Sequence, residues 1–314
     1  MQRALRLLSV VAWLVLTGSF ASAQEEEGKA TVERVLNAKD ADELRESVAQ
    51  LMAKASRTQL QEYKTHPSNT IALHAAWEEV KRGVRTIDPK FREEDKPVVD
   101  IDRILLQRFL GFVEGRLHVT PPEWWQKIVA RAKIDSEVRH NLSLIYATNR
   151  KFNPYFHLRG SVHHLTTFEV IPVKDGGFEL KSDKFSCTIS PQLLKQIKKI
   201  NPRDVDLPGL TAWMNAERCV FGFHWFLSSE FTLHCIERKS GKLLWSTDVW
   251  GYFWGGFGGG GFLHWAEMRI DGDTIYLFGI DATGIIYIEA FSMKVGKNQF
   301  HFTTNYVADP LAAP

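Results

Sequence analysis

The sequence predicts an α+β fold, with a helical N-terminal domain followed by a mainly antiparallel β domain built on a two-copy repeat. Three observations carry this. Apolar residues recur at three- and four-residue spacing up to about residue 134; beyond 161 they alternate; and the C-terminal half matches itself at a fixed offset of 55 residues.

The first element is a leader. Arg3 and Arg6 precede an apolar run from Leu7 to Thr17 and the small residues Ala21-Ser22-Ala23, the pattern of a cleaved secretory signal peptide over 1–23. The run is shorter than the roughly 20 residues that cross a bilayer. Secretion to the periplasm or medium is therefore expected, with the mature chain starting near Gln24 and no membrane span. Of 39 basic residues the leader takes two, leaving 37 against 37 acidic ones. A chain without basic excess or stripe has no electrostatic footprint for nucleic acid.

Residues 24–39 read as an acidic linker and first helical turn. A helical domain spans 40–134, opened by Asp40 with Glu43 as a capping box and continued by Leu44, Val48, Leu51 and Met52 on one face. Ser68 caps a second segment carrying Ile71, Ala75, Trp77 and Val80. Asp100 or Asp102 caps a third, with Leu105, Phe109, Phe112 and Val113. In Thr120-Pro121-Pro122-Glu123, Thr120 is the expected cap of a fourth helix whose Trp124, Trp125, Ile128 and Val129 form a core stripe.

Residues 135–160 form a connection without a clear period. The β-rich domain, 161–306, begins with a hairpin: Val170 to Val173, a turn at Asp175-Gly176-Gly177, then Phe178, Leu180 and Phe185 to Ile189. Ser190-Pro191 opens one short helix through Leu193, Leu194 and Ile197, whose Lys195, Lys198 and Lys199 give its wet face. A tail follows at 307–314.

The repeats cover 219–249 and 274–304. At an offset of 55, Gly241 falls on Gly296, Lys242 on Lys297, Trp245 on Phe300, Phe223 on Phe278, Val220 on Ile275 and Phe221 on Tyr276. Each copy reads as strands joined through a Lys-x-Gly-Lys turn, where glycine supplies a positive φ. A tight hairpin at Ser228-Ser229 would set Cys219 opposite Arg238 and Cys235 opposite Gly222. The two cysteines then lie on opposite faces and cannot bond. With three cysteines at most one internal bridge is possible, and all three sit in apolar runs where a thiol acts as a small buried hydrophobe.

The stretch from Cys235 to Trp245 resembles the outer-strand motif of quinoprotein-like (PQQ-type) β-propeller repeats, roughly Ala-x-Asp-x-x-Thr-Gly-Lys-x-x-Trp. Gly241, Lys242 and Trp245 match it, while Ser240 replaces Thr and Glu237 stands for Asp. The resemblance implies two propeller-blade-like repeats. As a whole the chain is similar to secreted bacterial proteins of uncharacterised activity. Quinone-dependent dehydrogenation, which the repeat family would suggest, is disfavoured, because propellers close with about four to eight blades and two copies are visible. No cofactor is expected.

The chemistry-bearing residues narrow to two groups. The glycine loop Gly255 to Gly261 lacks the Gly-Lys-Ser/Thr ending of a phosphate loop, but Trp250, Tyr252, Trp254 and Phe257 flank or interrupt it. Such rings stack on sugars or peptides. His264 with Glu267 is the alternative, an acid/base pair whose spacing of three on a strand separates their faces. The histidines match no zinc spacing, so no metal is expected. The leading expectation is an exported non-enzymatic binding or structural protein for a glycan or peptide. The alternative is an exported enzyme with its site between the helical and β halves.

Overall fold

A computed structural model describes residues 26–87, 101–123 with Trp125, Gln126 and Val129, 169–174, 176–198, 210–223, 232–250, 265–280 and 286–304. The fold is α+β, with helices in the N-terminal part and three antiparallel sheets in the C-terminal part. The described residues fall into two compact units, one up to Ala75 and one from Ala76 onward. The expected leader lies outside the described residues. Among them no helix is long and apolar enough to cross a membrane.

In the first unit, helix α1 occupies 26–36, longer than the linker and first helical turn expected over 24–39. Helix α2 (Ala41–Lys54) starts as expected, for Asp40 accepts from the amides of Asp42 and Glu43, and Glu43 reaches back to the Lys39 amide at 2.9 Å. Leu44, Val48, Leu51 and Met52 are buried. A helix not anticipated, α3 (Arg57–Lys64), opens on a complete capping box between Ser56 and Gln59. Helix α4 (Asn69–Ile87) runs across the boundary between the units. It is buried nearly all round, from Ile71 to Trp77.

The second unit contains α5 (Ile101–Leu117) and a helical turn from Glu123. Thr120 does not cap that turn. Its hydroxyl donates to Glu114 Oε1 at 2.6 Å, and the Pro122 carbonyl accepts the first helical bond, from the Gln126 amide. The proline itself thus serves as the cap. Trp125 is fully buried, the core role expected of it, while Trp124 lies outside the described residues.

Three sheets follow. The first is β1 (Glu169–Val173), β2 (Gly177–Lys181) and β3 (Ser186–Ile189), turning at Gly176 with φ +83°. Helix α6 (Pro191–Lys198) follows, capped by Ser190, whose hydroxyl accepts from the Leu193 amide at 3.1 Å. The second sheet runs β4 (Leu210–Met214), β5 (Arg218–Phe223), β6 (Thr232–Glu237) and β7 (Leu243–Asp248). The third runs β8 (Trp265–Asp271), β9 (Thr274–Ile280), β10 (Ile286–Ser292) and β11 (Asn298–Thr303). Both are four-stranded meanders in chain order.

The repeat is thus a pair of matching sheets, with two corrections. Cys219 pairs with Ile236 and Cys235 with Val220, two residues from the expected register. β5 ends at Phe223 and β6 begins at Thr232, and the expected turn at Ser228-Ser229 lies outside the described residues. A slip of two preserves the face of every side chain. Cys219 accordingly points to one core and Cys235 to the other, and all three cysteines are free thiols. Secondly, the 55-residue offset holds for β6 on β10 and β7 on β11, including a bulge after Cys235 and after Ala290. For β5 on β9 it is 56, because Cys219 and Ile275 hold equivalent register positions. Val220 therefore matches Tyr276 rather than Ile275.

The sheets stack in one sense. Val170, Leu180 and Cys187 of the first pack against Cys219, Phe221 and Ile236 of the second. The opposite face of the second, with Val220, Cys235 and Trp245, packs against Ile275, Leu277 and Phe291 of the third. The far face of the third is covered by helical residues, with Phe302 against Phe109 at 5.6 Å and Phe278 edge-on to Trp125 at 5.7 Å between ring centroids. Each inter-sheet joint repeats a detail: Trp245 Nε1 donates to the Met293 carbonyl at 3.1 Å, and Cys187 Sγ lies 4.0 Å from the carbonyl of Arg238, the residue 55 positions earlier.

Candidate functional site

Two polar pairs stand where apolar residues would be expected. In β6 and β7, His234 Nδ1 is hydrogen-bonded to Ser246 Oγ at 2.8 Å; in β10 and β11, His301 Nδ1 donates to Glu289 Oε1 at 2.6 Å. Both are directly opposed cross-strand pairs. Both are related by the same 55-residue offset. The repeat therefore conserves a position for a hydrogen-bonded pair while changing its chemistry.

Their surroundings differ. Glu289 and His301 are 0 % and 1 % exposed, and the second carboxylate oxygen accepts from Asn298 Nδ2 at 3.0 Å. A carboxylate so enclosed needs such partners, since an unpaired buried charge is prohibitive. His234 is buried against the Phe221 ring, whereas Ser246 is exposed on the outermost strand of its sheet. The pairs lie on the corresponding faces of two different sheets. They do not converge into a hydroxyl, imidazole and carboxylate row of the kind that activates a nucleophile. A further buried carboxylate, Glu78 in α4, accepts from Arg82 Nε at 2.8 Å and forms an ion pair with Lys81 Nζ at 2.6 Å. Among the described residues, no group of three or more His, Cys, Asp or Glu is arranged to hold a metal ion.

Of the residues singled out from sequence, Trp250 is half-buried directly after Val249, itself part of the core between the second and third sheets. Glu267 lies on β8 and pairs with Arg269 at 2.5 Å. Tyr252, Trp254, Phe257 and His264 lie outside the described residues. His234, Ser246, Glu289 and His301 were not anticipated as pairs. The signal for them is the repeat alignment, which sets His234 on Glu289 within otherwise apolar strands.

Connectivity separates the two ends of the stack. The turns 215–217, 238–242, 272–273 and 293–297 lie at one end of the four-stranded sheets; β5, β7 and β9 end, and β6, β8 and β10 begin, at the other. Contact between Trp245, near the start of β7, and the 293–297 turn keeps the same ends together in both sheets. The first end carries Arg238, Lys239, Lys242, Lys294 and Lys297. Trp250 follows β7 at the second end, while Trp225, Phe226, Tyr252, Trp254 and Phe257 lie outside the described residues.

No family model matches the chain, and no curated protein does.

Proposed function

We propose that this protein is an exported, non-enzymatic binding module, a short propeller-like stack of sheets whose aromatic end takes a glycan or peptide. The observation that supports the reading is the segregation of connections. Charged tight turns occupy one end of the sheets, and in sequence the aromatic-rich stretches connect the strand ends at the other, the arrangement by which loops carry recognition on a fixed frame. Export rests on the leader pattern of residues 1–23. The propeller-like description rests on the one-sense stacking of the sheets and on the Lys-x-Gly-Lys turns. The buried Glu289–His301 pair serves the scaffold: enclosed, it holds strands together rather than meeting a substrate.

The test uses tryptophan fluorescence of the mature chain titrated with chito- and cello-oligosaccharides and with short unstructured peptides. Trp254→Ala should weaken binding by at least about tenfold, the cost of one aromatic contact at a recognition centre, with an almost unchanged melting midpoint. A large fall in the midpoint with no ligand found among the probes would mark Trp254 as core and end the proposal. Export is checked separately, by an N-terminus near Gln24 on the protein recovered outside the cytoplasm.

A further inference from the structure

The joint between the first and second sheets holds two thiols. Cys187 on β3 and Cys219 on β5 are both buried in one apolar core, and Cys187 Sγ lies 4.0 Å from the Arg238 carbonyl. Arg238 fixes their approach. Its Nη1 donates to the Ser186 carbonyl at 3.0 Å, next to Cys187, and its Nε donates to Ala216 at 3.1 Å. Its amide donates to Glu217 at 2.7 Å, two residues before Cys219. One residue thus ties the strand bearing the first thiol to the turn leading to the second. Cys235 belongs to the opposite core and cannot join them.

We propose that Cys187 and Cys219 are a disulfide-forming pair that locks the β1–β3 sheet to the β4–β7 sheet. The oxidant is a disulfide, small or protein-borne, acting by thiol–disulfide exchange. Cys187 thiolate attacks one sulfur of that disulfide and expels a thiolate. Cys219 thiolate then attacks the Cys187 sulfur of the mixed disulfide and expels the second. One S–S bond forms and one breaks. Two electrons pass from the protein to the oxidant, and the two cysteine protons end on the two released thiols.

The roles follow from the way the two thiols meet. The Cys219 thiol donates to Cys187 and so lowers the pKa of Cys187, helped by the Arg238 charge, against desolvation. The same bond, with burial, raises that of Cys219. Cys187 is the attacking sulfur and Cys219 the resolving one. Both are enclosed once docking is complete, so exchange takes place as the sheets dock, when the two thiols have already met and the oxidant can still reach Cys187. The proposal draws on export for its oxidising surroundings, yet its chemistry is tested on purified protein independently of export.

The full chain is reduced, unfolded in urea, refolded in a reduced and oxidised glutathione mixture, then unfolded again without reductant and labelled with iodoacetamide. The expected product carries one label, on Cys235, with a Cys187–Cys219 linked peptide in the digest. Its melting midpoint should lie roughly 5–10 °C above that of the reduced form and fall back on adding dithiothreitol. Cys235→Ser should form the same bridge, and Cys187→Ala should form none. Three labels after oxidative refolding, or a linked peptide containing Cys235, would overturn the proposal.

Discussion

Two glycines that share a backbone conformation do different work. Gly241 and Gly296 both have φ +68° in equivalent turns, closed by the same bonds: each amide donates to a carbonyl four residues earlier at 2.8 Å. Their neighbours differ. A Cβ on Gly241 would meet only the Thr188 carbonyl, at 3.9 Å, whereas a Cβ on Gly296 would drive into the Trp245 indole, 2.6 Å from Cδ2. Gly241→Ala therefore bears the left-handed strain alone, about 1 kcal/mol. Gly296→Ala adds a clash inside the joint between two sheets and should cost about 3 kcal/mol or more. Urea unfolding of the two variants measures the difference directly; equal losses would mean that the indole yields freely and that the turn does not rest on it.

At the scale of the strand pair, the repeat supplies its own substitution experiment. Glu289→His leaves two imidazoles facing each other in a closed space, a loss of about 3 kcal/mol or more. Adding His301→Ser recreates the pair that His234 and Ser246 already make at the same register. The double variant should unfold at higher urea than Glu289→His alone, by about 1 kcal/mol or more, the coupling expected of a buried hydrogen bond restored. Much at this scale is legible in the sequence. Asp40 with Glu43, the two Gly-Lys turns and Gly176 announce themselves because each answers a local backbone requirement. So does Ser56 with Gln59, the capping box that opens α3. Strand β8 is legible too, since Ala266, Met268 and Ile270 alternate up to the Gly272 turn. Registers and partners are not. The pairing of Glu289 with His301 depends on a bulge after Ala290 and on a turn of fixed length, and the slip of β5 against β6 depends on where β5 ends. These are properties of two strands together, and no single stretch of residues contains them. The candidate ligand rings stand out by composition alone, and of them only Trp250 has a described position, two residues beyond β7.

For the whole β-bearing unit, the decisive contact is between its ends. Phe109 comes from α5, which precedes every strand, and Phe302 comes from the last one. Replacing either with alanine should cost about 3–5 kcal/mol as a buried aromatic, and the double replacement should cost less than the sum by about 0.5–1.5 kcal/mol, the share that belongs to the ring pair itself. Additive losses in that cycle would show that the rings are buried independently. The same contact sets a clock. Each meander can form from neighbouring strands, a local and rapid event, but α5 finds its place only after the final strand exists, which requires closing the longest loop in the unit. During synthesis the apolar side of α5 must therefore wait, exposed, until nearly all of the chain has emerged. In refolding from urea the β-sheet signal in far-ultraviolet circular dichroism should rise ahead of the burial of Trp77, which packs on Phe109 at 4.9 Å, and Phe302→Ala should lengthen that lag while leaving the earlier phase alone.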